Sequence, residues 1–259
     1  MGILNLTPDS FYDGGRYLER GMMLRHISGM VEDGADILDV GAMSTRPGST
    51  EISPEEEMER LAPALEAIRE NFPSLAISID TCRSEVARWA VRNFGIGMVN
   101  DISGGQYDPD MFSWIAATPL TYVMMHIQGS PRSMQVAPFY VDVVGEVLEY
   151  FSNRLNHLQQ LGFGRVILDP GFGFGKNSGH NYRLLRELER FNVLNKPIMV
   201  GLSRKSMIYR ELGITADQAL NGTTALHMAA LMKGASILRV HDVRHARECV
   251  KLYKAMVSS

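Results

Sequence analysis

The chain has 259 residues, 45% of them hydrophobic and 21% charged, and carries a net charge of -3. That composition fits an ordinary globular protein with a substantial core, as one large α/β barrel or two smaller domains. It excludes a basic nucleic-acid surface and an anionic-membrane binder, and no apolar run approaches the roughly 18 residues of a membrane span. Cys82 and Cys249 lack metal spacing and suit free thiols in a reducing compartment, so a cytoplasmic protein without a leader is expected.

Residues 1–5 read as the second half of a buried strand, so upstream residues are expected to be missing, or the chain to be a piece of a longer polypeptide. A loop at 7–15 follows, rich in Gly, Pro and short polar residues. A helix is predicted over about 18–32, with Leu18, Met22, Ile27, Met30 and Val31 near one face. Residues 37–40 form a short buried strand, and a second loop spans 41–53. Ser53-Pro54-Glu55-Glu56 then starts a helix, with a capping Ser, Pro in the first turn and acids behind it. Residues 7–15 and 44–53 of these loops offer little apolar burial and are expected to be mobile without ligand.

The rhythm repeats. Strands are predicted over 75–79, 98–101 and 120–125, and helices over 84–94 and about 109–117. A long helix over about 141–161 leads into a strand at 165–168. Helices at about 182–191, 217–233 and 243–256 alternate with strands at 197–200 and 236–240. These make eight strand-then-helix units, each of roughly 25–40 residues. The economical architecture is α/β, a single (β/α)8 TIM barrel over residues 1–259 with its site at the C-terminal ends of the strands. An open doubly wound sheet is the alternative, because alternation alone does not prove closure.

The densest motif is Asp169-Pro170-Gly171-Phe172-Gly173-Phe174-Gly175-Lys176. An acid at the end of a strand buried on both faces needs a partner or a ligand. The alternate glycines let the backbone turn sharply and leave room for something flat. Phe174 could supply an apolar wall, and Lys176 closes the segment with a positive charge. A Walker A loop is excluded, since Pro170 stands where its first Gly belongs and Asn177 follows the Lys. A structural strand-to-helix turn with a solvated Asp is the other reading.

In a barrel of this kind every strand ends on one rim. Asn5, Asp39, Thr45, Arg46, Asp80, Asn100, His126, Asp169, Ser203, Lys205, Arg239 and His241 all lie at a predicted strand end or a few residues beyond. Singly each has a structural explanation: Asp80 or Asp101 as a helix cap, His126 as a satisfied core histidine, Arg46 as a solvated charge. Their convergence indicates an enzyme. Asp80, Asn100 and Asp169 are acceptors suited to the N–H edges of a planar, nitrogen-rich ring. Lys205, Arg239, His241 and Arg46 suit a phosphate or carboxylate. No HExxH or tetrahedral cluster supports structural zinc, whereas Mg2+ escorting a phosphate needs few protein ligands. No Gly-x-Ser-x-Gly elbow is present and neither Cys lies beside a candidate base, which argues against an acyl-enzyme.

Taken together, residues 2–11, 44–48, 79–81, 100–105, 169–176, 203–206 and 239–243 resemble the dihydropteroate synthase family, as do Met124-Met125-His126 with Gly129, Pro131, Met134 and Gln135. The segments span nearly the whole chain, in order. The resemblance implies a (β/α)8 barrel that joins 7,8-dihydropterin pyrophosphate to 4-aminobenzoate in folate biosynthesis, giving 7,8-dihydropteroate and pyrophosphate. By likeness Asp80, Asn100, Asp169 and Lys205 hold the pterin, and Arg239, His241 and Asn5 the pyrophosphate, with Mg2+ near Asn5. Thr45, Arg46 and Pro47 would lie on the second loop and Phe11 on the first. Phe174, Ser203 and Lys205 would line the aminobenzoate site, where sulfonamides bind in this family. Gly201 and Met124 complete the implied substrate-binding set. Asp80, Lys205, Arg239, Thr45 and Arg46 form the implied catalytic set, and a homodimer is the implied assembly.

Two departures from the family stand out. It commonly has Gly-Glu before Ser-Thr-Arg-Pro-Gly, where this chain has Ala42-Met43, and Tyr12 stands where Ser is usual. A corrinoid-linked pterin methyltransferase is the alternative enzyme, but it would lack Ser44-Thr45-Arg46-Pro47-Gly48 and Ser203-Arg204-Lys205, both present here. A catalytically silent pterin-binding paralogue is the other, with Ala42-Met43 as its support.

Overall fold

In the computed structural model, β1 (Gly2–Asn5) pairs in parallel with β2 (Ile37–Gly41), and β2 with β3 (Ala76–Asp80). The series runs on through β4 (Met98–Asp101), β5 (Thr121–Met125), β6 (Val166–Asp169), β7 (Ile198–Val200) and β8 (Ala235–Leu238), each beside the next. The structure describes residues 1–6, 16–43, 52–130, 134 and 136–258, with only the backbone described at 16–19. Phe11, Thr45, Arg46, Pro47, Tyr12, Pro131 and Gln135 lie outside these, as do residues 7–15 and 44–51 of the two loops expected to be mobile.

What decides between barrel and open sheet is the edge. Ile3 donates its N–H to the Val240 carbonyl and Val240 donates to Met1, both at 2.9 Å. A parallel bridge between Gly2 and Val240 therefore closes β8 onto β1. The strand order also never reverses, so no switch point of an open doubly wound sheet exists. Though β1 has only four residues, it is hydrogen-bonded on both sides.

Helices fill the crossovers on the outside: α1 (Arg16–Glu32), α2 (Pro54–Asn71), α3 (Ser84–Phe94), α4 (Met111–Ala116) and α5 (Val143–Gln160). Then come α6 (Ser178–Arg186), α7 (Ser206–Tyr209), α8 (Leu220–Met232) and α9 (Val243–Val257). None of the described helices is long and apolar enough to cross a membrane. The buried stripe of α1 is Met23, Ile27 and Met30, an i, i+4, i+7 set, which leaves Met22 exposed against expectation. α2 starts as its sequence dictates, the Glu56 N–H donating to Ser53 Oγ at 3.2 Å. The predicted helix over 182–191 begins earlier, because Asn177 and His180 form a capping box, and it gives way to a 3-10 stretch at Leu188–Leu194.

The two faces of the strands separate the core into layers. The large cluster, with residues such as Leu38, Val40, Leu65, Ile77 and Phe151, lies between sheet and helices. A second cluster of Val123, Ile167 and Met199, joined by Met1, Met98 and Ile237, plugs the barrel interior. Side chains alternate along a strand, so the residue two places on shares that inward face. Two places beyond Met98, Val123, Ile167, Met199 and Ile237 stand Asn100, Met125, Asp169, Gly201 and Arg239. The plug thus dictates the floor of the mouth. Register brings the rest: Asp80 pairs with Asn100 and with Gly41, which pairs with Asn5, and Asp39 lies one layer below.

Candidate active site

At the centre of the mouth Arg239 bridges two acids. Its Nε donates to Asp39 Oδ2 and its Nη2 to Asp80 Oδ2, each at 2.6 Å. Asn100 Nδ2 donates to the same Asp39 oxygen at 2.9 Å. Among the described residues the other oxygen of Asp39 and the amide oxygen of Asn100 are buried with no hydrogen-bond partner. Two adjacent acceptors left this way carry a desolvation penalty that a ligand with N–H groups would remove. Burial pushes the Asp80 carboxyl up to about 7; Arg239 opposes it, and the carboxylates of Asp39, Glu57 and Asp101 add to it.

Asp169 ends β6 beside this network. Its Oδ1 accepts the Gly171 N–H at 2.8 Å, and burial raises its carboxyl while Lys205 is the chief influence lowering it. Gly171 has φ +70°, and a Cβ there would run into the His126 carbonyl oxygen, so only glycine fits the turn. Lys176, which closes the segment in the sequence, does not offer its amine to the mouth. It is buried beneath the loop and donates to the Gly171 and Phe174 carbonyls, both at 3.0 Å, with His126 Nδ1 2.9 Å away. Burial lowers its ammonium well below the usual range, and burial with Lys176 beside it lowers the His126 imidazole well below its own. The two groups brace the loop from within.

Lys205 is the cation that faces the ring-binding acids. Its amine donates to the Phe172 carbonyl and lies 4.8 Å from the centre of the Phe174 ring. Burial lowers the Lys205 ammonium to about 8, with Asp169 raising it and Arg239 lowering it. Phe174 packs on Cys82, Ile102, Met125, Ile127 and Met134, the apolar wall of the mouth. Met124 is not part of that wall. It belongs to the layer under the helices, and Met125, which pairs in register with Asp169, faces the site in its place. Gly201 leaves space for the Lys205 amine, which would lie 3.7 Å from a Cβ there. Ser203 Oγ accepts the His241 backbone N–H at 3.3 Å and lies 3.0 Å from its Nδ1. Asn5 is exposed at the rim.

The structure thus brings together Asp80, Asn100, Asp169, Lys205 and Arg239, with Phe174, Gly201, Ser203 and His241 around them. It adds Asp39, which appeared among the polar strand ends but not in the substrate-binding set. Its signal was its place two residues before Gly41, on the inward face.

These two titrations give a pH expectation. Asp80 accepts hydrogen bonds as a carboxylate above about 7, and Lys205 keeps its charge below about 8. A bell-shaped kcat/KM profile is expected, rising through the first value and falling through the second. A profile flat across that range would contradict these roles.

Residues 1–241 match the family described as pterin binding enzyme. The dihydropteroate synthase of Escherichia coli (strain K12) is 44% identical over 261 residues, covering 100% of this chain and 92% of that protein. That of Haemophilus influenzae is 41% identical and covers 100% of this chain and 94% of its own. Among solved structures, Xanthomonas albilineans dihydropteroate synthase with 4-aminobenzoic acid superposes with a TM-score of 0.91 at 38% identity, covering 100% of this chain and 92% of that one.

Proposed function

We propose, from the premise that the chain belongs to the pterin binding enzyme family, how its barrel mouth does the work of a dihydropteroate synthase. The enzyme is a transferase that joins 7,8-dihydropterin pyrophosphate to 4-aminobenzoate. The bond between the pterin methylene carbon and the pyrophosphate oxygen breaks. That carbon takes the amine lone pair, and the nitrogen gives up a proton.

The observation that carries the assignment is the pair of unpartnered acceptors, Asp39 Oδ1 and Asn100 Oδ1, in the network that Arg239 joins to Asp80. A pterin presents several N–H donors along one edge, and these acceptors, with the Asp169 carboxylate, are the groups that would receive them. Lys205 and the Phe174 ring form the adjoining wall, with Ser203 beside it, for the aminobenzoate. Arg239 and His241 face the leaving group; two of the five N–H donors of Arg239 are engaged by acids and three remain. Burial, with Arg239 beside it, lowers the His241 imidazole to about 4, so it meets the leaving group as a neutral hydrogen-bonding ring and Arg239 supplies the charge. A guanidinium set on the departing oxygen favours a dissociative course, in which pyrophosphate leaves before the weak amine attacks. Asn100→Leu keeps the size and removes the acceptor. Pterin pyrophosphate binding, read by calorimetry, should weaken about 10-fold or more. Unchanged affinity would contradict the ring site.

Mg2+ stays part of the proposal, as an escort of the pyrophosphate. Asn5, exposed at the rim, would offer it one amide oxygen, with pyrophosphate oxygens and water at the other positions. Bound there, it would neutralise leaving-group charge. Pyrophosphate affinity equal with and without Mg2+ would exclude it. A homodimer is proposed through the outer faces of α8 and α9, where Met232, Leu252 and Met256 are exposed. A single-chain mass in solution would exclude that. The free thiols Cys82 and Cys249 favour a reducing compartment, the cytoplasm.

A further inference from the structure

We infer that Arg204 and Asp242 form a positioning pair that fixes Lys205 and His241 relative to one another. The inference rests on the reaction proposed above and adds two residues to it that touch neither substrate. Arg204 lies between Ser203 and Lys205, and its φ of 54° places a non-glycine residue in the left-handed region. Such a conformation persists only where the surroundings over-determine it.

Three elements do so here. The Arg204 Nε donates to Asp242 Oδ2 at 2.8 Å and its Nη2 to Oδ1 at 2.7 Å, a bidentate fork. The remaining Nη1 donates to the Asp217 carbonyl at 2.9 Å. The backbone N–H donates to Thr223 Oγ1 at 3.1 Å, on α8. Every nitrogen of the residue is committed inside the protein.

The neighbours give this its meaning. Arg204 immediately precedes the amine of the site, and Asp242 immediately follows His241. One fork therefore joins the loop after β7 to the turn after β8, which also carries Arg239. The Ser203–His241 contact at 3.0 Å runs beside it as a second crossing. A fork fixes orientation as well as distance, which a single ammonium cannot do. The hydrogen bonds from Arg204 also hold the Asp242 carboxyl below the usual carboxylate range, so the pair remains ionised where Lys205 titrates. A pair serving the fold alone would affect stability and leave the chemistry of the folded enzyme unchanged.

Arg204→Lys and Asp242→Asn, made singly and together, separate the two. Both should be assayed well below their unfolding midpoints, with wild-type pyrophosphate release as the control for the reaction. We expect kcat to fall about 10- to 100-fold in each single variant, the scale of a misplaced catalytic group. The double variant should fall no further, because both changes break one contact. The alkaline limb of the pH profile should move in each, as the distance from Lys205 to Asp169 changes. Folded single variants with wild-type kcat and an unmoved limb, or losses that multiply in the double variant, would overturn the pair. Failure of the wild type to release pyrophosphate would overturn the reaction instead.

Discussion

Asp169→Asn is expected to weaken pterin pyrophosphate binding by roughly 30- to 1,000-fold while the barrel stays folded. The Gly171 N–H, held at 2.8 Å by one carboxylate oxygen, explains why the effect is so one-sided. An asparagine would keep its amide oxygen on that N–H, preserving the turn. Its NH2 group would then point into the mouth, donor against donor. The loss combines a charge-assisted bond with an unpaired buried donor, about 2–4 kcal/mol. Calorimetry on the folded variant decides it. Wild-type affinity would make the segment at 169–176 a structural turn.

Arg239→Ala is expected to reduce stability as well as function. The guanidinium is the counter-ion of Asp39, which is fully buried, and of Asp80, whose side chain is 16% exposed. Removing one partner of a buried pair leaves uncompensated charge and costs about 3–5 kcal/mol. For a domain of this size that is a fall of roughly 6–20 °C in the unfolding midpoint. The sign of the pH dependence follows from Asp80. Its folded-state carboxyl lies near 7, above its unfolded value, so it binds a proton in the folded protein as pH falls through 7. A protonated Asp80 needs no counter-ion, so the destabilisation should be largest above pH 7 and shrink below it. Pyrophosphate affinity and turnover should fall in the same variant. A loss of stability that is independent of pH, with pyrophosphate affinity unchanged, would contradict the bridging role.

Much of this was readable in the sequence, because a βα repeat announces itself through buried runs followed by polar residues. Asp80, Asn100, Asp169 and Arg239 each end such a run, and alternation then places them inward. Phase was harder. A strand buried on both faces shows no alternation of its own, so Met124 and Met125 cannot be told apart until the register with Asp169 is known. Lys176 reads as a charge in a glycine loop, and only its contact with His126, 50 positions earlier, shows it is a brace. Asp39 gains its place from a partner 200 residues away, and the Arg204–Asp242 fork spans 38. Local pattern carries no information about such pairs. The single turn α7 has no counterpart among the predicted elements, since four residues are too short to show a helical period.

The most direct test of the whole account is to mix the protein with 7,8-dihydropterin pyrophosphate, 4-aminobenzoate and Mg2+ and measure pyrophosphate and dihydropteroate together. One mouth that holds both substrates predicts equal amounts of the two products when both substrates are present, with dihydropteroate formed only when 4-aminobenzoate is added. Pterin binding with neither product formed, or pyrophosphate released with both substrates present and no dihydropteroate beside it, would contradict it.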